Sequence, residues 1–243
     1  MFKRFDILDL RMKIEDLILR IKRRWMKMRL QPIRVFCFHQ VSDTFDESYM
    51  EPIDRLETDV FKQRIESLRK EGCNFISLPE AQEMMKRDWF RSEKYAVLTA
   101  DDGWATLRNV LPWLNEQQIP VTLFLNPAYL DGKHYRNSDK EQYLSSEEVE
   151  RLYKQYPLVT VGSHGWEHLD ATMQTEKEFR ESIQRTTAYL SSLPNYIPFH
   201  AYTWGRRSEL TDDILSKEGI TPVLINGGKN YNDHGVIHRE LLS

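Results

Sequence analysis

The chain has no long apolar run. Charges interrupt the N-terminal segment MFKRFDILDLRMKIEDLILRIKRRW every few positions. Neither the roughly 7–15-residue apolar stretch of a secretion signal nor the roughly twenty residues of a membrane span is present. Cysteine is equally scarce. Cys37 and Cys73 form no metal-type or redox-type spacing, which excludes a disulfide framework and fits two reduced thiols. Ten glycines and ten prolines leave no low-complexity tract, and no repeat occurs at solenoid periods. These absences lead to the expectation of a globular protein with a cytoplasmic home.

Basic residues are scarce in the body of the chain and concentrated at its start. Residues 1–34 carry eleven Lys/Arg against four Asp/Glu, although the whole chain has a net charge of −3. An acidic body argues against nucleic acid as a partner, because phosphate binding needs clustered Lys and Arg on the domain itself. Within the basic arm, Ile7, Leu10, Ile14, Leu17, Ile21 and Met28 recur at three- and four-residue steps, which predicts an amphipathic helix that Pro32 ends. Its apolar stripe suits three roles: packing on its own domain, peripheral contact with the inner face of an anionic membrane, or a homodimer through residues 1–31. The expected organisation is this arm over 1–31 and one catalytic domain over 32–243.

From residue 34 onward, short apolar runs alternate with amphipathic segments. Strands are expected at 34–39, 95–100, 121–125, 158–163, 197–202 and 222–226, with a weaker one at 236–239. Helices are expected at 59–71, 78–86, 104–117, 145–155, 175–193 and 211–217. Such alternation predicts a mainly parallel α/β sheet, open or closed, with its ligand site at the C-terminal strand ends. Polar residues just past those ends include His39, Asp101, Asp102, Asn126, Ser163, His164, Tyr202 and Trp204. Segment 126–144 has little periodicity and reads as a loop over the pocket or a solvated linker.

Two groups carry chemistry. Asp101 and Asp102 leave an apolar strand side by side; two such carboxylates repel and resist desolvation, and a cation relieves both costs. As a bare Asp-Gly step the same residues also read as a turn or helix cap. His164 and His168, at i and i+4 after another strand, would share one face if the segment turned helical. One carboxylate and two imidazoles leave coordination positions open for water and substrate.

Thr99-Ala100-Asp101-Asp102-Gly103 resembles the Thr-Phe-Asp-Asp-Gly motif of the NodB-type polysaccharide deacetylases (carbohydrate esterase family 4). Ser163-His164-Gly165-Trp166-Glu167-His168 resembles their Ser/Thr-His-xxx-His motif. Cys37-Phe38-His39-Gln40-Val41 and Ile119-Pro120-Val121-Thr122-Leu123-Phe124 are similar to two further family segments, so the likeness runs from about Arg34 to Arg239. The resemblance implies a distorted (β/α) barrel of seven or eight strands and removal of N-acetyl groups from an N-acetylated saccharide. By the same resemblance, Asp102, His164 and His168 would bind one divalent metal ion, usually Zn²⁺, and Asp101 would be the general base. A late histidine normally protonates the leaving amine; His238 is the candidate and His234 the reserve. His39, Tyr202 and Trp204 are candidate substrate contacts.

The sequence departs from the family at several points. Ala100 replaces Phe, Thr203 stands where Pro is usual, and Arg206 and Arg207 miss the position from which some members orient the base. Two rivals follow. A chain that kept the metal but lost the acid would be a non-catalytic saccharide-binding protein. His164–His168 also fits H-x-x-E-H, which in a zinc metallopeptidase would make Glu167 the base and would need a regular helix through the motif.

Overall fold

The computed structural model of the chain describes residues 15–20, 31–44, 55–87, 91–132, 143–232 and 235–242. Residues 15–20 are helical, with Leu17, Ile18 and Leu19 exposed. The rest of the predicted amphipathic stripe, together with His234, lies outside the described residues. No helix among the described residues is long and apolar enough to cross a membrane.

The body is built from β1 (Ile33–Phe38), β2 (Gln40–Val41), β3 (Arg55–Leu56), α1 (Thr58–Lys70), β4 (Cys73–Phe75), α2 (Leu78–Arg87) and β5 (Lys94–Asp102). Then come α3 (Leu111–Glu116), β6 (Val121–Leu125), α4 (Ser146–Gln155), β7 (Val159–Ser163), α5 (Glu176–Leu190) and β8 (Tyr196–Ala201). The last elements are α6 (Glu209–Lys217), β9 (Thr221–Ile225) and β10 (Ile237–Leu241). Strands run parallel in the order β1-β10-β9-β8-β7-β6-β5, and β1 pairs again with β5 from Ile33↔Tyr95 to Phe38↔Ala100. The ring therefore closes as a seven-stranded barrel with helices outside, and β4 attaches to the lower half of β5.

Strand alternation sorts the residues. Outward positions such as Phe36, Leu98, Val121, Leu123 and Val161 pack against the helices. Inward positions start apolar, with Val35, Val97, Phe124, Phe199, Val223 and Ile237 in one cluster. Further up the barrel, the inward residues become Cys37, Thr99, Asp101 and Arg239, all buried. This gradient sets a polar layer on a dry plug at the C-terminal strand ends. At Gly162 on β7, an added Cβ would lie 2.7 Å from Phe124 Cε1 and 3.0 Å from the Phe199 carbonyl. Gly162→Ala is expected to cost about 1–3 kcal/mol by overpacking, measured by urea denaturation; an unchanged midpoint would show that Phe124 yields freely.

The starts of α4 and α5 carry side-chain caps. Ser145 with Glu148 and Thr175 with Glu178 form reciprocal capping boxes on α4 and α5. The single helix expected over 104–117 is instead a 3₁₀ turn at Ala105–Asn109 followed by α3. Pro112 is the reason: it has no N–H to return to the preceding turn, so it starts a helix here instead of continuing one. β4 escaped the alternation test because Cys-Asn-Phe is too short to show a period.

Candidate active site

In a regular strand Asp101 and Asp102 would face opposite sides of the sheet. They do not, because Asp102 adopts a left-handed conformation (φ 71°), followed by Gly103 at φ 76°. This turn brings both carboxylates to the mouth of the barrel. His164 Nε2 lies 3.4 Å from Asp102 Oδ1 and 3.9 Å from Asp101 Oδ2. His168 Nε2 lies 3.4 Å from the same Asp102 oxygen. The two imidazoles meet through a turn, not a helix: residues 164 and 166–168 are bends, with Gly165 at φ 84°.

The His164 Nδ1–H donates to the Ala201 carbonyl at 2.7 Å, which turns Nε2 toward Asp102; burial lowers the pKa of this ring, but Asp101 and Asp102 outweigh it and raise it. Burial lowers the His168 pKa to about 4, outweighing Asp102, so this ring is neutral at pH 7. Burial alone would raise the Asp102 pKa, but His164 and His168 carry it well below the ordinary carboxylate range. Oδ1 of Asp102 is buried and accepts no hydrogen bond. An orphaned anionic oxygen facing two imidazole nitrogens costs free energy unless a cation sits among them. One carboxylate and two imidazoles suit a divalent ion of the zinc type.

Arg239 occupies the polar layer below, wholly buried. Its guanidinium clasps Asp101 with NH1 to Oδ1 at 2.6 Å and NH2 to Oδ2 at 2.7 Å, and NH1 also donates to Thr99 Oγ1 at 3.0 Å. Burial pushes the Asp101 pKa up, yet Arg239 and then His164 pull harder and bring it to about 2. Cys37 and His39 adjoin Asp101, their donor atoms all within 4.8 Å of one another. The guanidinium on Asp101 opposes a second cation there.

The polysaccharide deacetylase family model matches residues 91–223. The chain belongs to the polysaccharide deacetylase family. It is thus a deacetylase of the hydrolase class. No curated protein sequence matches it. Among solved structures, this deacetylase is similar to IcaB from Ammonifex degensii at 23% identity, covering 88% of this chain and 92% of that one, with a TM-score of 0.75. It is also similar to the Streptococcus pyogenes deacetylase PplD in complex with acetate (19%, 86% and 92%, TM-score 0.73). A third is the de-N-acetylase from Aggregatibacter actinomycetemcomitans (16%, 86% and 94%, TM-score 0.71). At these identities the likeness establishes a shared fold.

Two sequence-derived assignments in the deacetylase need correction. His238 sits on β10 between Ile237 and Arg239, which face inward, so its ring points out of the barrel. There Nδ1 meets Asn226 Oδ1 at 3.0 Å, and the ring packs on Gly228. Tyr202 is core, not rim: it is 1% exposed, it stacks on Phe179, and its hydroxyl donates to Asp212 Oδ1 at 3.0 Å. By contrast His39 is half-buried beside Asp101, and Trp204 is 58% exposed with its ring edge-on to His168, centroids 4.6 Å apart. Thr203, in the place of the usual Pro, donates its hydroxyl to the Leu169 carbonyl at 2.5 Å and ties the two loops that carry Trp204 and His168. Arg239 was missed altogether.

Proposed function

We propose that this deacetylase hydrolyses N-acetyl groups of a saccharide, with Asp102, His164 and His168 holding one divalent ion, zinc by donor type, and Asp101 as general base. The observation that carries the reading is the pairing of an orphaned Asp102 oxygen between two imidazoles with a neighbouring carboxylate that Arg239 keeps ionised. When bound, such an ion supplies Lewis acidity toward water and toward an acetamide carbonyl. Asp101 accepts the proton that water gives up as it adds to the carbonyl carbon. Arg239 holds that carboxylate still in a two-point grip, so the base needs no reorientation. The C–N bond then breaks, and the departing amine takes a proton.

His238 does not suit that last role from its place outside the barrel. His39, at the mouth beside Asp101, takes over as the proposed donor. Trp204 is the proposed platform for a pyranose ring. It is a non-glycine residue held at φ 52° with most of its indole exposed, a strain of about 1–3 kcal/mol that is characteristic of ligand-facing positions. The metallopeptidase alternative needs a helix through 164–168, where the chain bends instead, and Glu167 lines an outer groove with Trp166, Leu169 and Arg185.

Acetate release from N-acetylated glucosamine oligomers tests the proposal. Chelation followed by dialysis is expected to abolish turnover, and one equivalent of Zn²⁺ to restore it. Full turnover in the stripped protein would sink the metal assignment. Bound metal with no acetate from any glycan would favour a saccharide-binding role. The proposed peripheral membrane contact of residues 1–31 is checked by flotation with anionic liposomes, and equal failure of the full chain and of one lacking 1–31 would remove it.

A further inference from the structure

Residues 126–129 and 143–144, at the two described ends of the segment after β6, reach all three residues proposed to hold the ion. Asn126, wholly buried, donates its side-chain amide to the His164 carbonyl at 2.6 Å and to the Gly165 carbonyl at 3.2 Å. The Ala128 N–H donates to the Trp166 carbonyl at 3.1 Å. The Tyr129 hydroxyl accepts the His168 backbone N–H at 3.1 Å. At the far end of the segment, Tyr143 forms an antiparallel bridge with Trp104 and stacks on its indole at 4.5 Å and 23°. Tyr129 and Tyr143 complete the cluster, their rings 5.2 Å apart. The indole so clamped donates Nε1–H to Asp102 Oδ2 at 2.9 Å.

That bond decides which oxygen of Asp102 faces the imidazoles. A carboxylate turns about its last torsion in a broad well, and the adjacent Asp101 charge favours turning away. With Oδ2 engaged by the indole, Oδ1 is the atom left toward His164 and His168. The left-handed backbone at Asp102 also needs surroundings that over-determine it, and the Leu144 N–H to Gly103 carbonyl bond at 2.9 Å fastens the same turn to the same segment.

We infer that residues 126–129 and 143–144 brace the metal centre, and that Trp104, held by Tyr143, is the positioning residue that fixes Asp102 as a one-oxygen donor. This rests on the reading of Asp102, His164 and His168 as ligands of one divalent ion. Outer partners of this kind are typically worth about 10–100-fold in metal affinity.

The test is zinc affinity of the full chain, measured by competition with a chromogenic chelator. Trp104→Phe keeps a ring against Tyr143 and deletes the donor. It is expected to bind zinc about 10–100-fold more weakly, to alter the visible spectrum of the Co²⁺-loaded protein, and to leave the thermal midpoint of the metal-free chain near that of the parent. Parental zinc affinity together with a parental cobalt spectrum overturns the brace. Should that variant fail to fold, Tyr129→Phe, which loses a single hydroxyl, decides by the same criterion. His168→Ala separates the two levels. If it binds zinc as the parent does, the metal reading itself is wrong; if it loses zinc while Trp104→Phe does not, only the brace is wrong.

Discussion

Asp101→Asn is expected to lower the rate of acetate release by about 10²–10⁴-fold, the usual contribution of a positioned general base, while zinc content stays at the parental level. The two readouts must be taken together, because Asp101 adjoins the proposed ligands without being one of them. The substitution also turns one of the two acceptors on the Arg239 fork into a donor. A buried mismatch of that kind costs about 1–3 kcal/mol of stability, so rates are to be compared well below the lowered unfolding temperature. A rate within tenfold of the parent, with Glu167→Gln inactive, would move the base to Glu167.

Arg239→Met is expected to have the largest effect on folding. The methionine fills much of the volume but leaves Asp101 buried without its counter-charge, and breaking a buried pair this way costs about 3–5 kcal/mol. The sign of the pH dependence follows. In the parent, Asp101 is depressed from 3.8 to about 2, so its contribution is present above pH 3.8 and is lost as pH falls through about 2. In the variant, burial without the guanidinium raises the same carboxyl, and protonation relieves the cost. The stability gap between parent and variant therefore narrows as pH falls from 7, first as the variant's raised carboxyl protonates and then, from pH 3.8 to about 2, as the parent loses its contribution, as followed by urea denaturation. An equal gap at pH 7 and pH 3 would mean that packing, not charge, is what Arg239 contributes. Arg239→Lys, which keeps the charge but loses the fork, should fall between the two.

Much of this was legible in the sequence because it depends on short-range patterns. Strand positions follow from apolar runs, and the strand-end rule gathers Asp101, Asp102, His39 and His164. Errors arose where a single residue decides the direction of a side chain. His238 is the histidine of the last strand, yet its neighbours Ile237 and Arg239 share the inward face, so alternation by two points to Arg239. Tyr202 and Trp204 lie two apart, but the strand has ended at Ala201 and the chain turns left-handed at Trp204, sending one ring to the core and the other to the rim. Helical spacing suggested the His164–His168 approach, whereas Gly165 achieves it by a turn. Trp104 left no trace in motif terms, since its partner Tyr143 is brought to it only by the fold.

The barrel closes through β10, which lies between β1 and β9 although it comes last along the sequence. Arg239 follows Asp101 by 138 residues. At a synthesis rate of about 5–20 residues per second, roughly seven to twenty-eight seconds separate the emergence of the acid from that of its counter-ion. Throughout that interval the ring is open and the carboxylate must remain hydrated. The buried pair is thus incomplete in a growing chain until β10 has emerged.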